Sequence, residues 1–491
     1  MPIWRNASRI SASILGYRDR PRLEATSELP ALVLNTPAER RVFSWAELGD
    51  YAERLAGWLW TQGLRPGQVL GAYLENSIEF IGLVLASLRL GVRLVLFHRR
   101  LSPAELEWQL DQCRPSLLVR DDQAGHQAIR PPSYQSLRLP DRAAIQPSLP
   151  IVDEPASFTF FTSGTTGYPK AVTLTLANLL AASQASSERL QTRSGERWLL
   201  CLPLYHIAGL SILFRAALDG MTVIFQPRFE AAEAARLLWE EQVNLVSLVP
   251  TMLYRMMPYL EREGIPPQLR LVLLGGSAVD PELLQRALGI GLPVALTYGL
   301  TEAASQVCTA LPELVRRKPG TVGKPLMGLT VEIRQHGGEP LRPGEIGEIW
   351  VRGPSVAQGY DGQMPFLDGW LPTGDLGYLD EEGDLWVLAR RSDLIVSGGE
   401  NIYPAEVERV LAGHPAVSEV CAFGLPHPEW GQQVAVAVVK AGEVSTEELL
   451  AYARRFLAGY KLPRQVFFVP ELPRTASGKV MRGKVREMVA G

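Results

Sequence analysis

The chain has 491 residues, which is enough for about three units with hydrophobic cores of their own. Hydrophobic residues make up 46%, charged residues 21%, and the net charge is −3, so a nucleic-acid-binding or membrane-surface role is not indicated. The longest apolar run, residues 80–97, is interrupted by Arg89 and Arg93 and should not span a membrane. The first residues lack a signal-peptide core, and the four cysteines are widely spaced, so we expect a cytoplasmic location.

Lysine is rare in this chain. Only seven of the 49 basic residues are lysines, and the other 42 are arginines. Because arginine fills most basic positions, a lysine at a particular position is more informative than usual. Two of the lysines, Lys170 and Lys479, follow segments rich in glycine and hydroxyl side chains.

Buried-strand patterns alternate with helical patterns through the first part of the chain. Residues 68–73 and 93–97 have the composition of short strands, and residues 77–90 between them have helical spacing. This alternation is typical of βαβ units, so we predict an α/β fold with doubly wound sheets. Residues 121–150 lack periodicity and are predicted to form a surface connection.

The pattern changes in the last third of the chain. Residues 331–388 contain short strand patterns separated by glycine, proline and aspartate turns, which predicts a small β-barrel-like part. A new α+β pattern follows. We therefore predict a large N-terminal domain, residues 1–390, and a smaller mobile C-terminal domain, residues 391–491.

One stretch, residues 163–170, combines glycines, hydroxyl side chains and a lysine between two strand patterns. Glycines allow backbone N–H groups to turn towards an anion, serine and threonine add donors, and Lys170 adds a charge. A Walker A loop would continue into a helix, whereas here Pro169 intervenes and a strand follows. We predict a phosphate-binding loop; an ordinary polar hairpin turn is the alternative.

Polar or glycine-rich residues end four of the predicted strands, at residues 163, 203, 275 and 298. In open α/β sheets, ligands bind at the carboxyl ends of strands. The four ends together therefore predict a nucleotide site.

The order of several motifs resembles the acyl-adenylate-forming (ANL) superfamily, which includes acyl- and aryl-CoA synthetases, adenylation domains and beetle luciferases. The resemblance covers roughly residues 40 to 485. It is carried by the segments 161–170, 298–302, 373–375, 390–393, 397–401 and 473–479.

Within this superfamily, residues 206–211, 273–276, 297–309 and 391–406 resemble the o-succinylbenzoate–CoA ligase family of menaquinone biosynthesis. The chain departs from that pattern at Ala303 and Ala304, where hydroxyl side chains are expected, and at residues 277–279. Both departures lie near the expected acid pocket.

The resemblance implies an ATP-dependent ligase that turns a small carboxylic acid into an acyl-adenylate and then into a thioester of coenzyme A. ATP is needed because oxide is a poor leaving group, and Mg²⁺ with lysine would screen the two anions of the first step. The implied partners are the acid, ATP and CoA, with no nucleic acid and no membrane span. A homo-oligomer is compatible with the sequence.

The resemblance also implies roles for individual residues. The catalytic set is Thr162, His206, Glu302 and Lys479, and Glu302 is the implied magnesium ligand. The implied nucleotide- and CoA-binding residues are Ser163, Gly164, Thr165, Thr166, Gly167, Lys170, Gly276, Ser277, Thr297, Tyr298, Gly299, Thr301, Asp375, Arg390, Gly398 and Gly399. The implied acid-binding residues are His206, Gly209, Ser211, Gly275, Ser305 and Gln306.

Plainer interpretations exist for most of these residues. A lone histidine is more often structural than functional, a Thr-Gly-Asp run is more often a turn, and Lys479 could be a solvated tail residue. At the level of the whole chain, the alternatives are another acyl- or aryl-CoA ligase, an adenylation domain that serves a carrier protein, and a non-catalytic nucleotide-binding paralogue.

Overall fold

A computed structural model of the protein describes most of the chain, and its residues form two compact units. The first unit comprises residues 1–331 and 351–371, and the second comprises residues 332–350 and 372–491. The predicted boundary between an N-terminal domain, residues 1–390, and a mobile C-terminal domain, residues 391–491, remains a prediction. The described residues are 30–36, 39–99, 101, 103–121, 135–137, 155–162, 170–335, 338–390, 395–397, 400–402, 404–427, 431–457, 459–475 and 480–490.

The first unit alternates strands and helices, as predicted. Its strands are β1 (Pro30–Asn35), β2 (Arg40–Ser44), β3 (Val69–Tyr73), β4 (Arg93–Leu96), β5 (Leu117–Arg120), β6 (Gln135–Leu137), β7 (Ser157–Thr162), β8 (Lys170–Thr175), β9 (Arg197–Leu200), β10 (Thr222–Phe225), β11 (Leu245–Leu248), β12 (Leu271–Leu274), β13 (Val294–Tyr298) and β14 (Cys308–Ala310). Its helices are α1 (Trp45–Thr61), α2 (Ile78–Leu90), α3 (Pro103–Cys113), α4 (Leu176–Leu190), α5 (Ile207–Asp219), α6 (Ala231–Glu240), α7 (Pro250–Glu263), α8 (Pro281–Gly289) and α9 (Pro312–Arg317).

Two sheets organise this unit. One has the strand order β14-β13-β12-β11-β9-β10-β1-β2 and is parallel except at its two edges, where β2 and β14 run antiparallel to their neighbours. The other has the order β6-β5-β3-β4-β7-β8 and is parallel except for the last pair, β7 and β8. The non-sequential order with crossover helices confirms the predicted doubly wound α/β fold.

Local sequence signals set the ends of several helices. Ser44 caps α1 and forms a reciprocal capping box with Glu47, since each side chain bonds the backbone N–H of the other residue. Helices α2 and α5 end at Gly91 and Gly220, both in the left-handed conformation that glycine adopts without strain. The helices then pack over fully buried side chains such as Trp198.

The second unit has β and α+β parts. Its elements are β15 (Thr330–Arg334), β16 (Gly347–Arg352), β17 (Leu371–Leu379), β18 (Leu385–Arg390), β19 (Ile395–Ser397), β20 (Glu400–Ile402), α10 (Pro404–Ala412), β21 (Val417–His427), β22 (Gly431–Lys440), α11 (Thr446–Ala453), β23 (Gln465–Phe468) and α12 (Arg482–Ala490). Strands β15 to β18, which lie mainly in this unit, form a sheet in chain order and confirm the predicted small β-rich part. A second sheet has the order β20-β19-β22-β21, and β23 pairs with β22.

Two features differ from the sequence expectations. The sequence patterns predict strands over residues 417–423 and 433–439, and β21 and β22 extend further because their ten paired positions continue to the pair His427–Gly431. The pattern of residues 210–218 predicts a helix, and α5 begins three residues earlier, at residue 207. Over the described parts of the chain, no helix is both long enough and apolar enough to cross a bilayer.

Candidate active site

Three aromatic rings cluster where strands β4 and β9, from different sheets, come to an end. The ring centroids of His98 and Tyr205 are 4.6 Å apart, those of His98 and His206 are 5.3 Å apart, and those of Tyr205 and His206 are 4.9 Å apart. Asn76, which follows β3, holds the same loop by donating to the Leu202 carbonyl and accepting from the Leu204 N–H. The carboxyl ends of the two sheets therefore meet at His206.

The start of helix α5 explains the position of His206. Gly209 lies so close to the preceding loop that a Cβ atom there would be 2.2 Å from the Pro203 carbonyl oxygen. Only glycine allows this approach, so Gly209 packs the helix onto the loop and fixes His206 at its N-terminus. The predicted acid-binding role of Gly209 remains a prediction.

The imidazole of His206 favours its neutral form. Crowding by neighbouring protein atoms, and secondarily the nearby His98, hold the pKa of His206 below its ordinary value. The residue is nevertheless exposed to solvent, so burial removes only part of the hydration of its side chain. At neutral pH the side chain is an uncharged donor and acceptor.

A strained turn follows β13 and carries Glu302. Ala304 and Ser305 both have positive φ, 54° and 102°, although neither is glycine. The chain can fold back this tightly because Gly299 has no side chain, since a Cβ there would lie 1.5 Å from the Ser305 carbonyl oxygen. Strained backbone of this kind is concentrated at functional sites.

Glu302 is buried, and its environment suits a metal ligand. Its Oε1 accepts a hydrogen bond of 3.0 Å from the Tyr360 hydroxyl, and its backbone carbonyl accepts one of 2.7 Å from Ala357. Only 9% of Glu302 is exposed, and no basic side chain among the described residues forms an ion pair with it.

Magnesium is usually held by one or two carboxylates together with substrate phosphates. The described part of the chain has no cluster of three or more histidine, cysteine, aspartate or glutamate side chains that could hold a metal by itself. A single carboxylate with a neutral hydrogen-bond donor fits a magnesium ion that is shared with phosphate groups.

The strands that flank the predicted phosphate loop form an antiparallel pair. Thr162 at the end of β7 lies opposite Lys170 at the start of β8, and its hydroxyl donates to the Lys170 carbonyl at 3.3 Å. The Lys170 ammonium lies 4.5 Å from the ring centroid of Tyr360. Residues 163–169, including Ser163, Gly164, Thr165, Thr166 and Gly167, lie outside the described residues.

Several predicted acid-pocket and nucleotide residues surround the Glu302 turn. Gly275 contacts Thr297 so closely that a Cβ would lie 2.6 Å from its methyl group. The Gln306 amide is used internally, since it accepts from Ser186 at 2.6 Å and donates to Thr309 at 2.8 Å. The structure thus brings together Gly275, Thr297 and Gln306, which lies in the turn between β13 and β14.

Other predicted site residues are at least partly exposed to solvent, or form their side-chain hydrogen bond within their own helix. Gly276 has a positive φ of 87°, and Ser277 beside it is exposed. Tyr298 and Thr301 are half-buried on either side of Gly299. Ser211 is buried, and its hydroxyl donates to the carbonyl of Ala208 in the same helix. The proposed ligand contacts of these residues remain predictions.

One charged residue that the sequence analysis did not single out is buried in helix α5. Arg215 is 2% exposed, and its Nη2 donates to the Ser305 hydroxyl at 3.3 Å. Its guanidinium carbon lies 5.5 Å from the ring centroid of Trp198, and its Nε has no hydrogen-bond partner. Burial lowers the pKa of Arg215 to about 9, so the group is still protonated at neutral pH.

The absence of a counter-charge makes Arg215 unusual. Among the described residues, no carboxylate forms an ion pair with it, although a buried charge is normally paired. Within the described part of the chain, its guanidinium donates a hydrogen bond to Ser305, a predicted acid-pocket residue. This position therefore suits an anionic ligand group.

Two predicted ribose-binding residues are neighbours in the second unit. Asp375 of β17 pairs with Arg390 of β18 in the antiparallel register, and Asp375 is 9% exposed. Thr373 shapes this strand by donating to the Ile349 carbonyl and accepting from the Asp375 N–H. Gly398, Gly399 and Lys479 lie outside the described residues.

The residues that sequence reasoning missed act through tertiary contacts. Tyr360, His98 and Arg215 are distant in sequence from the groups that they contact. The one available signal was Arg215 itself, the single charged residue of a largely apolar helical segment, residues 207–217.

The chain belongs to the AMP-binding enzyme family. The family model described as AMP-binding enzyme matches residues 20–361, and the model described as AMP-binding enzyme C-terminal domain matches residues 406–479. This confirms the predicted superfamily.

Its relatives include named ligases. The chain is 40% identical over 453 residues to a 2-succinylbenzoate–CoA ligase of Bacillus licheniformis, with 90% of this chain and 94% of the relative covered. It is 36% identical to the o-succinylbenzoate CoA synthetase (MenE) of Bacillus subtilis in complex with the acyl-adenylate intermediate OSB-AMP, with a TM-score of 0.86 over 99% of this chain and 98% of that one. The complex of the same synthetase with ATP and magnesium ion has the same identity and TM-score, over 94% and 98% of the two chains.

Proposed function

We propose that this protein is an AMP-forming acid–CoA ligase whose acid is 2-succinylbenzoate. A carboxylate oxygen of the acid attacks the α-phosphate of ATP, the bond to pyrophosphate breaks, and an acyl-adenylate forms. The thiol of CoA then attacks the acyl carbon, and AMP leaves as the thioester forms. Family membership and the named relatives support the reaction class.

The observation that carries the choice of acid is the buried guanidinium of Arg215. 2-Succinylbenzoate has two carboxylates, of which one is activated and the other keeps its charge. A buried cation beside Ser305, without a carboxylate partner among the described residues, provides the charge that the second carboxylate requires. A fatty acid or a simple benzoate has no group to place there.

We further propose roles for the residues around the Glu302 turn. Glu302 would hold a magnesium ion, which when bound screens the negative charge of the phosphates. Lys170 and the 163–167 loop would bind those phosphates, with Thr162 at the base of the loop. Tyr298, with Gly299 and Thr301, would contact the nucleotide, and Gly275, Gly276, Ser277 and Thr297 would border it.

The second unit supplies the remaining proposed groups. Asp375 would accept hydrogen bonds from the ribose hydroxyls, and Arg390 would donate one. Lys479 would stabilise charge between the acid and the α-phosphate during adenylation, and Gly398 and Gly399 would serve thioester formation. A C-terminal domain of residues 391–491 that alternates between two poses would allow both steps at one site.

Near the acid, His206 would act as a neutral hydrogen-bonding group at the reacting carboxylate, while Gly209, Ser211, Ser305 and Gln306 would border the acid.

The activity would place the protein in menaquinone biosynthesis. We also propose a cytoplasmic location, which is supported by four buried cysteines that form no disulfide bond with one another.

The test compares two acids that differ in one group. ATP–pyrophosphate exchange and CoA thioester formation should be fast with 2-succinylbenzoate and slower by about 100-fold or more in kcat/KM with 4-oxo-4-phenylbutanoate, which lacks the ring carboxylate. Benzoate, cinnamate and medium-chain fatty acids complete the panel.

The variant Arg215→Met should remove most of the preference for the diacid, whereas exchange with 4-oxo-4-phenylbutanoate should change little. A wild-type protein that prefers a fatty acid would contradict the proposed substrate. A protein that exchanges pyrophosphate with no acid would contradict the enzymatic role and favour a nucleotide-binding paralogue.

A further inference from the structure

A short segment, residues 354–361, joins the strand that bears Lys170 to the turn that bears Glu302. Asp361 N–H donates to the Ala171 carbonyl at 3.0 Å, and Tyr360 forms a β-bridge with Val172, so the segment adds to the edge of β8. At its other end, the Ala357 N–H donates to the Glu302 carbonyl. The segment therefore touches both sheets of the first unit.

Side chains fix the segment in this position. The Asp361 carboxylate accepts from Thr173 at 3.0 Å and from Arg93 at 2.9 Å, and the Asn178 amide donates to the carbonyls of Pro354 and Val356. These bonds hold the backbone on either side of Tyr360, so its ring has a defined place.

Tyr360 uses two different parts of its side chain for two different partners. Its hydroxyl donates to Glu302 Oε1 at 3.0 Å, and its ring face lies 4.5 Å from the Lys170 ammonium. A hydrogen bond to a carboxylate restricts that group's rotation, and an aromatic face attracts a cation without neutralising it. Both functional groups keep their charge while their positions are restricted.

From this arrangement we propose that Tyr360 is a positioning residue that orients the magnesium ligand Glu302 through its hydroxyl and the phosphate-binding Lys170 through its ring. This inference rests on the proposed function, because it assigns Glu302 to Mg²⁺ and Lys170 to phosphate. It adds a residue outside the predicted motifs. It also explains how Glu302 and Lys170, which belong to different sheets, are both positioned for a common ligand.

The two parts of the side chain can be separated by substitution. Tyr360→Phe removes only the hydroxyl and leaves the ring on Lys170, whereas Tyr360→Leu removes both contacts. Tyr254→Phe is the matched control, since Tyr254 is 64% exposed on helix α7. Thermal unfolding of each variant without ligand shows whether the fold is retained.

The main readout is ATP binding by calorimetry in the absence of any acid, so that no turnover occurs. Without Mg²⁺, Tyr360→Phe should bind ATP as the wild type does. With Mg²⁺, it should bind about ten- to 100-fold more weakly, the loss that one hydrogen bond to a charged group predicts. Tyr360→Leu should bind more weakly under both conditions, because Lys170 also loses its support.

A double-mutant cycle tests whether Tyr360→Phe weakens ATP binding through Glu302. In a Glu302→Ala background, Tyr360→Phe should cause no further loss of Mg²⁺-dependent ATP binding. Thioester formation from supplied acyl-adenylate should be unchanged in Tyr360→Phe, since that step needs no metal at the triphosphate.

Two results would overturn the inference. In one, Tyr360→Phe binds ATP in the presence of Mg²⁺ as tightly as the wild type does. In the other, Tyr360→Phe binds ATP more weakly than the wild type by the same factor with and without Mg²⁺. The calorimetric result is independent of the acid. If the wild type binds MgATP but activates no acid, the proposed substrate fails while the role of Tyr360 is still decided.

Discussion

Two buried glutamates in the first unit, Glu241 and Glu302, have contrasting surroundings. Glu241 is 2% exposed and accepts hydrogen bonds from Arg40 at 2.8 Å, Arg197 at 2.9 Å and Asn35 at 2.7 Å. Glu302 is 9% exposed, and within the described residues its carboxylate accepts a hydrogen bond from a neutral hydroxyl, that of Tyr360. One carboxylate is compensated by the protein, and the other retains capacity for a ligand.

The half-buried Arg197 and the buried Arg215 repeat the contrast with the opposite charge. Arg197 forms an ion pair with Glu241, whereas Arg215, among the described residues, donates a hydrogen bond to Ser305 and lies near the ring of Trp198. A compensated charge contributes to folding, while an uncompensated one costs folding energy and is retained for a ligand. The pairing of a charge, more than its burial, distinguishes structural groups from functional ones here.

The largest expected effect is on catalysis at Glu302. Glu302→Gln should lower the rate of ATP–pyrophosphate exchange by about 100- to 1000-fold, the range seen when one electrostatic group at a transition state is removed. The urea midpoint of unfolding should stay close to the wild-type value, because no ion pair is broken. A large loss of stability with intact exchange would reverse the assignment of this carboxylate.

The next effect is on stability at Glu241. Glu241→Gln leaves Arg40 and Arg197 without their counter-charge and should lower the free energy of unfolding by about 1–3 kcal/mol. Denaturation in urea measures this change, and KM for ATP should be unaffected.

The pH dependence of the same site is a second test. Burial alone would raise the pKa of Glu241, but the hydrogen bonds from Arg40 and Asn35 and the charge of Arg197 outweigh it, so the pKa is lowered. The stabilisation is therefore complete above the unfolded-state pKa and is lost as the pH falls through the folded-state value. Glu241→Gln should destabilise the protein less at pH 4 than at pH 7.

A smaller effect of opposite sign is expected at Arg215. Arg215→Met removes a buried charge without a carboxylate partner among the described residues and should raise the free energy of unfolding by about 1 kcal/mol. The matched change Arg197→Met should lower it, because Glu241 would lose an ion pair. If both variants were destabilised equally, Arg215 would be a structural residue like Arg197.

The smallest effect concerns His206. The folded protein depresses the pKa of His206 through crowding and through His98, so the folded state binds fewer protons than the unfolded chain near pH 6. Stability should therefore be complete above about pH 6.5, the unfolded-state pKa, and decline as the pH falls. The free energy of unfolding of His206→Gln should decline less steeply between pH 7 and 5 than that of the wild type. The difference should be modest because His206 is exposed and solvent screens its charge. Equal slopes would contradict the shift.

Much of the fold could be predicted from local patterns. The β3–α2–β4 alternation was predicted within one or two residues because buried strands and capped helices have strong periodicity and strong end signals, such as Ser44 with Glu47. The strands on either side of residues 163–169 were also predicted. Strand order could not be, because it depends on long-range packing that leaves no periodic trace.

The candidate site was predicted unevenly for the same reason. Glu302 and Lys170 lie in recognisable segments, but Tyr360 is 58 residues from Glu302 and has no motif of its own. Arg215 also lies outside the recognised segments. Whether Arg215 is a structural or a ligand-binding residue depends on which carboxylates lie near it in the folded protein.

By itself, the sequence determined the α/β class, the ends of many helices and the segments that identify the family, since each depends on residues that are close along the chain. Only the tertiary structure decided which buried charges are compensated. Electrostatic and hydrogen-bond energies depend on distances between side chains from different sheets, such as Tyr360 with Glu302 and Lys170. Those distances are set by packing and are not encoded in any single segment.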